Sequence, residues 1–190
     1  ARFRIIATVN EYDTRFVNSM SAALRRRFSK VTVLPPPNDA DGKSSKGEFD
    51  ITVSEAVKRA TAILGSPPKA EAVSDLISRS ERIREIFGFF RHSSQGGVPI
   101  GTAQLIDVAL YFLIWMSKSK SGFEGDSSSL TDSAFWLTYD RAIVARLMPS
   151  LETDSTRARV RDSFAEDLKS AFSELPFTSK RLDAFLHGND

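Results

Sequence analysis

Two hydrophobic periods divide this chain. Phe3 to Val9 is an almost unbroken apolar and β-branched run, the pattern of a parallel strand covered on both faces. It ends on Asn10, a side chain with both a donor and an acceptor. Asn18 or Ser19 caps the next segment, in which Met20, Ala23, Leu24 and Phe28 fall on one helical face. Arg25, Arg26 and Arg27 fan around the end of that helix. Lys30 to Leu34 alternates like a partly exposed edge strand and stops at Pro35, Pro36 and Pro37. These elements form a β-α-β unit. Asn38 to Gly47 is polar, carries Gly and Ser, and reads as a flexible surface loop between two subdomains.

After Glu48 the period is helical throughout. Val53, Ala56, Val57, Ala60, Ile63 and Leu64 make a stripe that Gly65 and Pro67-Pro68 stop. Lys69 to His92 is expected as one longer helix, with Val73, Leu76, Ile77, Ile83, Ile86, Phe87 and Phe90 inward and Gly88 weakening its last turn. Ser93 to Gly101 is a loop, and Thr102 caps a strongly apolar helix, Ala103 to Met116, in the middle of a bundle. Ser117 to Ser129 is low in complexity. Thr131 or Asp132 starts a helix with Phe135, Leu137, Ile143, Val144 and Leu147 inward, ended by Pro149. Asp154 to Leu175 is expected as one helix through Val160, Phe164, Leu168 and Phe172. A short one, Thr178 to Leu186, follows through Leu182, Phe185 and Leu186. The expected fold is therefore an α/β remnant followed by an all-α helical subdomain, mostly α overall. Its parts are a core piece over 1–37, a linker over 38–47 and helices over 48–190.

Composition narrows the function classes. Twenty-six basic and 24 acidic residues leave a net charge of +2, too balanced to argue for nucleic acid or membrane. There is no cysteine, so disulfides and thiolate metal sites are excluded, and a reducing compartment such as the cytoplasm fits. Two histidines, His92 and His187, leave little for a His-rich metal site. The longest apolar run, Val108 to Met116, is far short of a membrane span. A domain rarely opens directly on a central parallel strand, which needs crossover-connected neighbours. The chain is thus expected to be the C-terminal part of a longer protein.

Thr8-Val9-Asn10 followed by Ala23-Leu24-Arg25-Arg26-Arg27-Phe28 resembles the McrB-like branch of the AAA+ ATPases. In that family a strand ending T-x-N supplies the sensor 1 asparagine, and a helix ending A-L-R-R-R-F supplies arginines that reach the neighbouring subunit's nucleotide. The resemblance implies a catalytic role for Asn10, Arg26 and Arg27, with Arg25 structural. Gly96 to Asp107 (GGVPIGTAQLID) is similar to the loop and helix start that line the nucleotide in McrB-like and MoxR-like lids. That implies nucleotide contact at Gly101 and Thr102; a glycine-rich connection with a helix cap reads the same residues equally well. In the MoxR-like pattern a sensor 2 arginine would stand at Ile100, so the chain departs from it there. Further implications are ATP or GTP with Mg2+ whose ligands lie upstream, a hexameric ring, an McrC-like nuclease partner and an indirect connection to DNA.

The chemistry behind these assignments is that of phosphoryl transfer. An amide at a strand tip holds the attacking water without adding negative charge, and a guanidinium fork meets the charge spread over the transferring phosphoryl oxygens. Asp41-Gly42-Lys43-Ser44 contains G-K-S, but Pro37 stands where a P-loop needs its first glycine, and the stretch reads as a solvated loop. Without Walker A and B this stretch of chain is expected not to hydrolyse nucleotide alone. Asp140, Arg141 and Arg146 read as a charged helix face. The competing function is a helical module that binds protein or DNA and has no nucleotide role.

Overall fold

The computed structural model describes residues 37–91, 98, 100–118, 131–158 and 160–188. Of these 75% are helical and none is in a strand, so this part of the chain is mostly α. The expected strands at Phe3–Val9 and Lys30–Leu34, the arginine helix and most of the 117–129 stretch lie outside the described residues.

Helix α1 spans Lys46–Leu64. Ser45 caps it, its side chain accepting from the Glu48 amide at 3.2 Å. Gly65 closes it at φ 74°, a left-handed conformation that glycine adopts without strain, and its N–H bonds the Thr61 carbonyl at 2.9 Å. Phe49, Val53, Ala56 and Ala60 face the core. Ile63, expected in that stripe, is 57% exposed. Its neighbour Leu64 packs against the core instead, so the inward face of the last turn passes through Leu64.

The expected helix from Lys69 to His92 is two helices, α2 (Ala70–Ser78) and α3 (Ser80–Arg91). The break at Arg79 combines a local competition for one carbonyl with a distant partner for the Arg79 side chain. In a continuous helix the Asp75 carbonyl would accept from the Arg79 amide. Here it accepts from the Ser78 hydroxyl at 3.0 Å and the Arg79 guanidinium at 3.3 Å. Arg79 also reaches the Asp75 and Asp132 carboxylates, each at 3.0 Å, and lies 4.4 Å above the Phe135 ring. Ile77, just before the break, is 54% exposed rather than inward. Leu76, Ile83, Ile86, Phe87 and Phe90 are buried as expected.

Helix α4 (Thr102–Lys118) is the central element and packs most extensively along α1 and then against α5 (Asp132–Arg146). Phe112 of α4 meets Phe135 and Tyr139 of α5 at 5.0 and 5.8 Å between ring centres, an aromatic junction at the heart of the core. Leu137 is exposed, whereas the neighbouring Trp136 is buried. The expected helix from Asp154 to Leu175 is broken. After α6 (Met148–Leu151), one turn forms α7 (Asp154–Arg157), irregular chain follows, and α8 covers Phe164–Ala171. Val160, Phe164, Leu168 and Phe172 are nonetheless all buried. Helix α9 runs over Pro176–His187, two residues earlier than expected at its start, with Pro176 preset for the first turn. Phe164 and Phe172 lie 5.1 and 5.4 Å from Phe89 of α3, joining the C-terminal helices to the rest.

Residues 38–44 are not the free loop expected of them. An antiparallel bridge joins Asn38 to Ser44, and the turn between them lies on α3. The Asp39 carboxylate accepts from the amides of Asp41 and Lys43 at 3.1 and 2.9 Å and pairs with Arg84. Arg84 donates to the Ser44 carbonyl at 2.6 Å, and the Ser44 amide returns a bond to the Arg84 carbonyl at 3.1 Å. Lys43 of the G-K-S run bonds Glu85 and Glu81 at 3.0 and 3.2 Å. The side chains that a phosphate loop would need are turned onto the protein itself.

This docking explains Gly88. A Cβ there would lie 2.2 Å from the Gly42 carbonyl oxygen and 2.8 Å from the Lys43 Cα, so glycine opens the helix face for the turn. Gly88→Ala should therefore destabilise the fold by about 1–3 kcal/mol through overpacking, outweighing the ~1 kcal/mol gain in helix propensity. A urea midpoint at or above the wild-type value would contradict this.

Asp140, expected on a solvated charged face, is fully buried. Its carboxylate accepts from the amides of Phe177 at 2.7 Å and Thr178 at 2.9 Å and from the Thr178 hydroxyl. It caps α9 from a different helix, because Leu175 at the N-cap offers no side-chain acceptor. Burial raises the Asp140 pKa above the ordinary 3.8, opposed by the hydrogen bonds from Thr178 and Phe177. A carboxyl whose folded pKa exceeds its unfolded one favours folding most while protonated, and loses that contribution as pH rises through the folded pKa. The stability advantage of wild type over Asp140→Asn should accordingly shrink as pH climbs from about 4 toward neutral. Urea unfolding of both proteins across that range measures it; a constant or growing difference would refute the assignment.

Candidate functional site

Four ends of chain converge beside the turn that opens α4. Glu48 lies in the first turn of α1, Arg91 in the last turn of α3, Val98 and Ile100 in the connection, and Thr102 at the first position of α4. The Val98 amide donates to the Phe90 carbonyl of α3 at 2.8 Å, and the Ile100 amide to the Val98 carbonyl at 2.7 Å. Both side chains are buried in the core.

The Arg91 guanidinium grips Glu48 with two bonds, 2.7 Å to Oε2 and 2.8 Å to Oε1, and its Nε donates to the Ile100 carbonyl at 2.8 Å. The Thr102 hydroxyl donates to Glu48 Oε1 at 2.8 Å. The pair is nearly sealed, with side-chain exposures of 6% for Arg91 and 3% for Glu48. Charge placement follows the helix ends: a carboxylate at the N-terminus of α1 and beside that of α4, a guanidinium at the C-terminus of α3. The start of α4 is also held from within. The Gly101 amide donates to Gln104 Oε1 at 3.0 Å while the Gln104 amide bonds the Gly101 carbonyl at 3.2 Å, half of a capping box.

The expected site residues fall out unevenly against this geometry. Asn10, Arg26, Arg27, Gly96 and Gly97 lie outside the described residues. Gly101 and Thr102 are brought together with Glu48, Arg91 and Gln104, three residues that sequence reasoning did not select. Thr102 is a first-turn residue rather than the cap, and its hydroxyl proton is directed at Glu48. Gly101 has no left-handed backbone, and a Cβ there would meet only the flexible Gln104 amide at 3.3 Å. Ile100, standing where the resemblance would put a charged sensor, is 1% exposed and part of the core. The one advance signal was Ser45-Lys46-Gly47-Glu48, which has capping-box spacing; its Glu turns to Arg91 instead of completing the box.

What this turn can offer a ligand is backbone. The first amides of a helix have no partner inside it, and those of α4 are carried by a turn fixed on three sides. Among the described residues no group of three or more His, Asp or Glu is placed to hold a metal ion, and no helix is long and apolar enough to cross a membrane. Comparison of the chain with protein-family models, with curated proteins and with solved structures finds no match.

The buried pair sets a clear expectation for stability. Removing one partner strands the other charge in a dry site, so Glu48→Gln should cost about 3–5 kcal/mol. Thr102→Val, which deletes one hydrogen bond and keeps the pair, should cost only about 1 kcal/mol. Chemical denaturation of both variants ranks them, and equal losses would show that the pair is not the dominant contact.

Proposed function

We propose that this chain is the C-terminal part of an McrB-like AAA+ NTPase that hydrolyses ATP or GTP in a cytoplasmic ring. The observation that carries the reading is in the sequence: Thr8-Val9-Asn10 and Ala23-Leu24-Arg25-Arg26-Arg27-Phe28, in that order within 28 residues. The helical unit that follows lends support, because a lid of helices comes next in the family's order and α4 opens on a fixed turn at the place such lids contact nucleotide.

In this reading Asn10 orients the attacking water, and Arg26 and Arg27 reach the terminal phosphate bound by the adjoining subunit. A guanidinium supplied in this way accelerates hydrolysis by roughly 10³–10⁵. Gly101 and Thr102 form the lid's contact with the nucleotide at the start of α4, where the Gly101 amide is itself held by Gln104 Oε1. Mg2+ would spread the phosphate charge in such a reaction, held by ligands other than Asn10, Arg26, Arg27, Gly101 and Thr102. The ring is a hexamer, and its partner is an McrC-like nuclease that connects the motor to DNA.

The test is turnover in the longer protein with Arg26 and Arg27 each changed to Ala. A loss of at least about 10³ in kcat for one of them is expected. Turnover that survives both substitutions would end the finger assignment.

A further inference from the structure

We infer that Glu48 and Arg91 are positioning residues for the nucleotide contact at the start of α4, setting its geometry while presenting no net charge to the ligand. The inference rests on the proposed NTPase reading and assigns the lid's share of it to two residues that no motif marks.

Arg91 is the only described side chain that bonds both the incoming turn and α1. Its Nε holds the Ile100 carbonyl while its two terminal nitrogens hold Glu48. Glu48 then fixes Thr102 through the hydroxyl bond at 2.8 Å. Ile100 and Thr102 flank Gly101, so the backbone on both sides of the proposed contact is referred to one ion pair. The two charges cancel at 2.7 Å and are sealed from solvent. A phosphate-bearing ligand at the α4 amides therefore meets neutral hydrogen-bond donors, and Arg91 does not stand in for the missing sensor 2 arginine. The turn's side chain at that place, Ile100, is anchored in the core. A bidentate fork is needed for this, since a point charge on a flexible stem would bond Glu48 without fixing the Ile100 carbonyl.

The experiment measures nucleotide KM and kcat separately in the longer, hydrolysing protein. Arg91→Lys and Thr102→Val are compared with Arg26→Ala. A positioning role predicts that the first two raise KM roughly five- to tenfold with kcat within about twofold. Hydrogen exchange on the same variants should rise over 98–106 and stay unchanged in α5 to α9. Unchanged KM in variants that exchange faster over 98–106 would show the pair to be structural only, and overturn the inference. A fall in kcat with KM unchanged would overturn it too, by placing the pair in the chemistry. If the wild-type longer protein turns over neither ATP nor GTP, the NTPase reading itself fails, an outcome distinct from either.

Discussion

The ion pair between Glu48 and Arg91 is the constraint on which the described architecture turns. It closes the angle between α1 and α3, and through Ile100 and Thr102 it decides where α4 begins. Helix α4 in turn lies against α1, α2 and α5 and carries the largest share of the apolar core. Two opposite charges in a dry interior are expensive to desolvate, and well-packed apolar residues would often hold the same elements at least as firmly. What the pair adds is direction: a planar fork and a carboxylate meet in one geometry, whereas leucines meet in many.

Hydrogen-bonded charged side chains fix three other joints. Arg84 and Asp39 clamp the 38–44 turn onto α3, where Gly88 leaves room for the Gly42 carbonyl. Asp140 receives the first amides of α9 inside the core. Arg82 completes the set by pairing with Glu174 and stacking 4.5 Å above Phe172, which ties α3 to the chain after α8. In each case apolar burial, concentrated in Phe87, Phe90, Phe112, Phe135 and Phe164, supplies the driving force, and a hydrogen-bonded charge supplies the register.

Much of the helical order could be read in the residues. The 3.6-residue stripe placed Val53, Leu76, Phe87 and Leu168 inward, and Gly65 marked a helix end because its left-handed backbone is a local property. Periodicity still identified the buried positions from Val160 to Phe172 where the helix itself is interrupted. The misses share a cause. The break at Arg79, the burial of Asp140 and the docking of residues 38–44 all depend on partners distant in sequence: Asp132, Thr178 and Arg84. A charged residue on a helical wheel looks solvated until its partner is known. The site was legible to the same extent. Gly101 and Thr102 were marked by the resemblance of their loop, while Glu48 and Arg91, 43 positions apart, were marked by nothing local.

The functional reading joins these levels. Under the proposed function the motifs of the first 28 residues would carry the phosphoryl-transfer chemistry, and α4 would offer a helix start held by the Glu48–Arg91 pair. On that account the lid contributes position and the arginines of the neighbouring subunit contribute charge. The claim underneath is that Glu48 and Arg91 act as one unit, and a double-mutant cycle of Glu48→Gln, Arg91→Met and the combined variant measures it most directly. The account predicts that the double variant is more stable than the more damaging single one, with a coupling of about 2–3 kcal/mol. Losses that simply add would contradict it.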